Sequence, residues 1–170
     1  MARKPGKHHR GVAYIATEHF HRGLAILRQH PLFAPLLLHA HVLRHEENGC
    51  PDEGWAVVTS NGDLHVHPTR RGAPEVWVQV LAHCLLHLGF GHFQANKRAR
   101  EWNTACDCVI LRFLADLKLG RPPQEFLDAP AFSARDEERL YQELCAQGIP
   151  AHLQDLWTAG THRNDADCLS

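Results

Sequence analysis

Long hydrophobic runs are absent from this 170-residue sequence. No apolar stretch approaches the roughly 18 residues that span a bilayer, so a soluble protein with no membrane partner is expected. An excess of charge of one sign is absent too. The formal net charge is -1, which gives no electrostatic case for a nucleic-acid partner. Arg3, Lys4, Lys7 and Arg10 make a basic start, but no apolar stretch follows them, so they are not read as a secretory signal. The six cysteines are too sparse for a disulfide scaffold at this length, and reduced thiols in the cytoplasm are expected. There is no internal repeat, and no second domain is expected.

Hydrophobic residues make up 44% and charged residues 22%, the balance of a folded domain with one core. Residues 1–10 read as a disordered lead, 11–157 as a single domain and 158–170 as a loose tail. Ile15, Phe20, Leu24 and Leu27 predict a first helix over about 12–29, ended by His30-Pro31. Leu36, Leu37, Val42 and Leu43 suggest a second over about 32–45, broken by Asn48-Gly49-Cys50-Pro51. The period then changes. Trp55 to Thr59, the Asn61-Gly62 turn signal and the alternation of Leu64 and Val66 with His65 and His67 predict a β-hairpin over about 55–67.

Pro74 stands where a further helix begins, and Trp77, Val80, Leu81, Cys84, Leu85 and Leu88 follow as an apolar stripe towards Gly89 and Gly91. A helix over about 98–119 is expected to bury Trp102, Cys106, Val109, Phe113 and Leu117. A last one, about 134–147, opens on Ser133 with Asp136 three residues later as an imperfect capping box, and packs Leu140, Tyr141 and Leu144. The fold class is therefore α+β, mainly helical with a small β-hairpin or sheet.

The outlier is histidine, at 15 residues. That abundance invites a metal, yet random placement alone yields roughly one His pair at i, i+4. His83 and His87 form such a pair, on one face of a helix and one turn apart. His41 and His45 form another, but no acid follows them at a useful spacing. With Trp77 at zero and about 100° per residue, the apolar stripe centres near ~10°, and His83 and His87 fall at about 240° and 280°, on its flank. Asp107, 20 residues after His87, lies on the flank of the next helix's stripe. Two antiparallel helices packed by those stripes would bring the three side chains together. Two His and a carboxylate make an open three-ligand zinc site of the kind used for hydrolysis, with one Zn2+ expected per chain.

From about residue 30 to 147 the sequence resembles a family of bacterial metallopeptidase domains that often precede a von Willebrand A-like domain. The resemblance is carried by Pro31-Leu32-Phe33, Asn61-Gly62, Leu81-Ala82-His83-x-x-x-His87-x-x-x-x-His92, Trp102-Asn103-x-Ala105-x-Asp107 and Glu138-x-x-Tyr141-x-x-Leu144. It implies a minimal zincin-like domain, a small sheet beside an active-site helix bearing H-E-x-x-H. The His-to-acid spacing is that of thermolysin-like proteases, whose third ligand is Glu. An AAA-type ATPase or a von Willebrand A-type protein is the partner that the resemblance suggests.

The sequence departs from the family at the catalytic position. Where the family has Glu after the first His, this chain has Cys84. That Glu takes a proton from the attacking water and delivers it to the leaving group, worth roughly 10²–10⁴-fold in rate. A thiol there reads first as a small hydrophobe in the apolar stripe, at about 340° on the same wheel, with zinc ligation or redox chemistry as alternatives. Leu111 stands where the family usually has Asn, removing a polar group behind the third ligand.

Other candidates are weaker. His92 reaches a metal only if the helix breaks at Gly89 or Gly91. Cys106 and Cys108 flank Asp107 and read as core plus edge, while Glu101, Glu46 or Glu47 could replace the missing base. His65 and His67 share a strand face, which lines the cleft or faces solvent.

Because the three presumed ligands survive while the base alone is gone, a zinc-binding domain with impaired catalysis, acting in binding or regulation, is the favoured reading. An active metallohydrolase with another base and a metal-free structural domain are the alternatives.

Overall fold

The computed structural model describes residues 7–45, 50, 54–124 and 136–154. A long first helix, α1 (Lys7–Gln29), buries Phe20, Leu24 and Leu27 as the spacing predicts. It starts at Lys7 rather than near residue 12, so residues 7–10 of the expected lead are helical. Residues 1–6 and the expected tail, 158–170, lie outside the described residues.

The second expected helix is corrected. Only Phe33–Leu37 is helical (α2), and His41–Leu43 is a strand (β1). The apolar pairs at 36–37 and 42–43 fit either state, and such short runs do not separate helix from strand. Ala56–Val58 (β2) and Asp63–Val66 (β3) form the expected antiparallel hairpin, pairing Val58 with Leu64 and Ala56 with Val66. β1 joins the other edge of β3 in parallel, Val42 opposite Leu64, to give the order β1-β3-β2. Leu64 and Val66 enter the core, and His65 and His67, on the other face, stay half-buried.

Helix α3 (Pro74–Phe90) runs through the middle of the molecule, against α1, α2, β2 and the next helix, α4 (Ala99–Leu117). Every residue from Trp77 to Leu86 is buried, so the sequence's one-sided stripe understates its burial. Pro74 occupies its first turn, where a missing N–H costs nothing.

The main core joins Phe20, Leu24 and Leu27 of α1 to Phe33, the strand residues, most of α3, and Ile110 and Leu114 of α4. A second cluster joins Ala105 and Cys108 of α4 to Leu140 and Leu144 of α5 (Glu137–Gln147) and to Leu153 of α6 (Ala151–Gln154). Lying between the two clusters, α4 is buried on two sides. That displaces the expected stripe: Val109 and Phe113 are half-buried and Leu117 is exposed. The cap of α5 is Asp136, whose side chain accepts the N–H groups of Glu138 and Arg139 at 2.9 and 3.3 Å. Ser133, expected there, lies outside the described residues.

The outcome is a mainly helical α+β domain with a small mixed sheet. No described helix is long and apolar enough to cross a membrane.

Candidate metal centre

The helices α3 and α4 pack antiparallel. Past the end of α4, Arg121 N–H donates to the Glu75 carbonyl in the first turn of α3 (3.0 Å). At the other end Trp102, in the first turns of α4, donates its indole N–H to the His92 carbonyl just beyond α3 (2.6 Å). This pairing sets the middle of α4 beside the last two turns of α3, and Asp107 meets His83 and His87 there.

The three side chains converge on one point. His83 Nε2 lies 2.9 Å and His87 Nε2 3.0 Å from the same oxygen, Asp107 Oδ1, and the two Nε2 atoms are 3.0 Å apart. Hydrogen bonds cannot fully account for this triangle. A proton serves one edge at a time, and the two nitrogens that face each other would both have to donate to one carboxylate oxygen. A single cation facing all three atoms would satisfy them together. Tetrahedral zinc with bonds of about 2.0–2.1 Å holds its ligand atoms roughly 3.4 Å apart, so only small adjustments separate this triangle from a ligand set. Among the described residues this is the one group of three or more His, Cys, Asp or Glu side chains placed to hold a metal ion.

The electrostatics suit that use. His83 and Asp107 are buried, and His87 is half-buried, giving the group one more open side. Burial lowers the pKa of His83 despite Asp107 beside it, which keeps a ligand lone pair free at neutral pH. Burial alone would raise the Asp107 carboxyl, but hydrogen bonds to His83 and His87 outweigh it and hold the pKa at about 2. A neutral imidazole at His83 and an ionised carboxylate at Asp107 are the protonation states a divalent cation requires of them.

Cys84 does not join the group. Its side chain is buried in the main apolar core, and burial first, with Cys50 and Asp107 adding to it, pushes its thiol far above the usual range. Cys106 and Cys108, expected as core plus edge, are both buried. Burial likewise raises both thiols, Cys108 to about 12. All three therefore remain protonated, and no described cysteine is in a disulfide.

The remaining candidates lie elsewhere. Glu101 is paired with Arg98 at 2.8 Å, and six helical positions set it on a different face of α4 from Asp107. Glu46 and Glu47 lie outside the described residues. His41 is in a strand and meets Asp63 at 3.2 Å, so the His41/His45 pair does not share a helix face. His67 Nδ1 accepts the N–H groups of Thr69 and Arg70 at 3.3 and 3.1 Å, a loop-closing role. Leu111 is half-buried.

The helix breaks at Gly91, as the approach of His92 to the site requires, yet His92 meets Nδ1 of His87 and not the triangle of ligand atoms. The backbone turns at Gly91 (φ 68°), and the rings of His92 and His87 meet through their Nδ1 atoms at 3.3 Å. Its imidazole is buried, which lowers its pKa to about 3 and keeps it neutral. The sequence marks Gly91 as a break that turns His92 back towards the site, but no spacing records that its partner there is His87.

The Glu138, Tyr141 and Leu144 pattern also finds a structural use. Glu138 binds Lys97, Tyr141 accepts the Arg98 N–H at 3.0 Å, and Leu144 fills the second cluster. These contacts tie α5 to the segment that connects α3 and α4.

A family model described as "Putative metallopeptidase domain" matches residues 18–167. No curated protein and no solved structure matches the chain.

Proposed function

Because the chain belongs to this metallopeptidase-domain family, we propose that it is a zincin-type domain that binds one zinc ion through His83, His87 and Asp107 and has lost its general base. The observation that carries the reading is the convergence of three ligand atoms from two helices within 3.0 Å of one another. His and carboxylate donors admit several divalent ions, and zinc is the choice that best fits a compact three-ligand set in a hydrolase family.

When bound, the ion supplies Lewis acidity for a carbonyl or a water. The protein's own contribution divides among its residues. His83 and His87 each present Nε2 to one point, and Asp107 brings the compensating charge. Burial of His83 and Asp107 excludes water from one side of the group. What the chain lacks is a proton carrier at position 84. A buried thiol held protonated cannot take a proton from water, and Glu101, turned away and paired with Arg98, does not replace it. The domain then acts by binding, in the cytoplasm, with an AAA-type ATPase or a von Willebrand A-type protein as the partner that its sequence resemblance favours.

The test is zinc per chain in protein purified without a polyhistidine tag. About one zinc in the wild type and in Cys84→Ala, and none in Asp107→Ala, is the expected result. Zinc lost with Cys84 would make the thiol a ligand. No zinc in the wild type would leave a metal-free structural domain. Peptidase assays with unstructured casein should find no activity in the wild type, and activity appearing in Cys84→Glu would identify the missing base. Clear wild-type hydrolysis would refute the loss of catalysis.

A further inference from the structure

His92 is a buried polar residue that lies outside the ligand group. It is 3% exposed, and its Nε2 has no hydrogen-bond partner among the described residues. The polar contact shown for its side chain is to His87, Nδ1 to Nδ1 at 3.3 Å, with the rings edge-on at 5.1 Å. A purely space-filling residue in such a place would be apolar, because burying a ring nitrogen without a partner is unfavourable.

The chain holds His92 there from both helices. With Gly91 in the left-handed conformation, His92 N–H donates to the His87 carbonyl at 3.1 Å and Gly91 N–H to that of Leu88 at 3.2 Å. These are the two bonds of a Schellman turn, which folds the residue after the glycine back over the helix's last turn. From the other side, Trp102 of α4 donates to the His92 carbonyl and packs edge-on to its ring. His92 is thus fixed relative to α3, which bears His87, and to α4, which bears Asp107.

The chemistry of His87 gives this placement a use. An imidazole that ligates a cation through Nε2 must carry its proton on Nδ1, and that N–H needs an acceptor to hold the ring's orientation. An imidazole bearing one N–H has one acceptor nitrogen, and the His92 nitrogen that faces His87 is Nδ1. We propose that His92 is a positioning residue of the metal centre, accepting a hydrogen bond from His87 Nδ1–H and so turning the Nε2 lone pair of His87 towards the cation. His92 does not itself ligate the metal. The inference rests on the metal-binding reading above and assigns one residue's part in it.

The experiment compares untagged wild type, His92→Leu and His92→Asn. Zinc affinity is measured by competition with a chromophoric chelator, and folding by circular dichroism with chelator present. His92→Leu keeps bulk and loses the acceptor, while His92→Asn keeps an oxygen near the Nδ1 position. The expected result is a loss of about 10- to 100-fold in zinc affinity for His92→Leu, with His92→Asn much closer to wild type. Imidazole nitrogen NMR of the zinc-bound wild type should show His87 protonated at Nδ1, a readout that needs no variant to fold. Wild-type affinity in His92→Leu, an equal loss in both variants, or His87 protonated at Nε2 in the zinc form would each overturn the proposal. A wild type that takes up no zinc would overturn the metal reading itself and the His92 role with it. A zinc-binding wild type with unchanged variants would overturn the His92 role alone.

Discussion

At the scale of single residues, Cys84 and His92 show how burial sets chemistry. Cys84 shares its apolar cluster with Val80, Leu81 and Leu85, and its contribution there is volume. Cys84→Ala should therefore cost only about 1 kcal/mol by urea unfolding, as small deletions in a core do, and leave metal content unchanged. A larger loss, or loss of metal, would show that the thiol has a polar role. His92 gives a pH prediction for the metal-free protein. Its folded pKa lies near 3, below the ordinary 6.5, because of burial and then of neighbouring His87, with Asp107 opposing and His83 adding a small push. The unfolded chain therefore gains a proton below pH 6.5 that the folded chain refuses. Stability from this residue is present above pH 6.5 and is lost as pH falls towards 3. Asp107, lowered from 3.8 to about 2, acts in the same direction in the later window from pH 3.8 to 2. Urea midpoints measured with chelator across pH 7 to 3 should fall in wild type and fall less steeply in His92→Leu. Parallel curves would contradict the burial of a neutral His92.

At the scale of elements, two glycines of similar chemistry should respond to alanine for different reasons. Gly23 lies mid-helix in α1, where alanine normally stabilises by about 1 kcal/mol. Here an added Cβ would stand 2.7 Å from Trp77 Cβ and 2.9 Å from the Pro74 carbonyl, because α1 crosses α3 closely. Gly23→Ala should therefore destabilise, reversing the helix-propensity sign, and a stabilised variant would show that α1 does not sit so close. At Gly91 an added Cβ meets nothing within 4 Å, so the penalty is the left-handed backbone alone, roughly 1–2 kcal/mol. Gly91→Asn, which tolerates that conformation better, should recover part of it in the same urea assay.

The same contrast shows what the sequence made legible. Apolar spacing located α3 and α4, and the flank position of His83, His87 and Asp107 placed them on facing surfaces. Those features depend on local periodicity. The parallel pairing of β1 with β3 joins segments about 20 residues apart, and nothing in the spacing of Val42 and Leu43 records it. The two-sided burial of α4 depends on α5 arriving later in the chain. The His92 contact depends on one glycine's dihedral angles.

At the scale of the whole molecule, the candidate metal centre lies where its two packing units meet. Helix α3 belongs to the main core, and α4 contributes to that core through Ile110 and Leu114 and to the second cluster through Ala105 and Cys108. An ion shared by His83, His87 and Asp107 would cross-link α3 to α4 between those contributions. The unfolded chain holds no such preformed triangle, so metal binds the folded state preferentially and stabilises it by mass action. With free zinc at about 100 times its dissociation constant, the gain is about 2.7 kcal/mol. For a domain of this size that corresponds to a rise in melting temperature on the order of 5–10 °C. Removing metal with a chelator should lower the wild-type and Cys84→Ala melting temperatures by that amount, and adding zinc back should restore them. Asp107→Ala should melt at the same temperature with and without chelator, since its site has lost the carboxylate. Because the second cluster depends on where α4 sits, loss of metal should also loosen α5, seen as faster amide hydrogen exchange at Leu140 and Leu144 than at Leu81 and Leu85 of the central helix. A wild type indifferent to chelator in both melting and exchange would mean that the α3–α4 seam is held by its apolar packing alone.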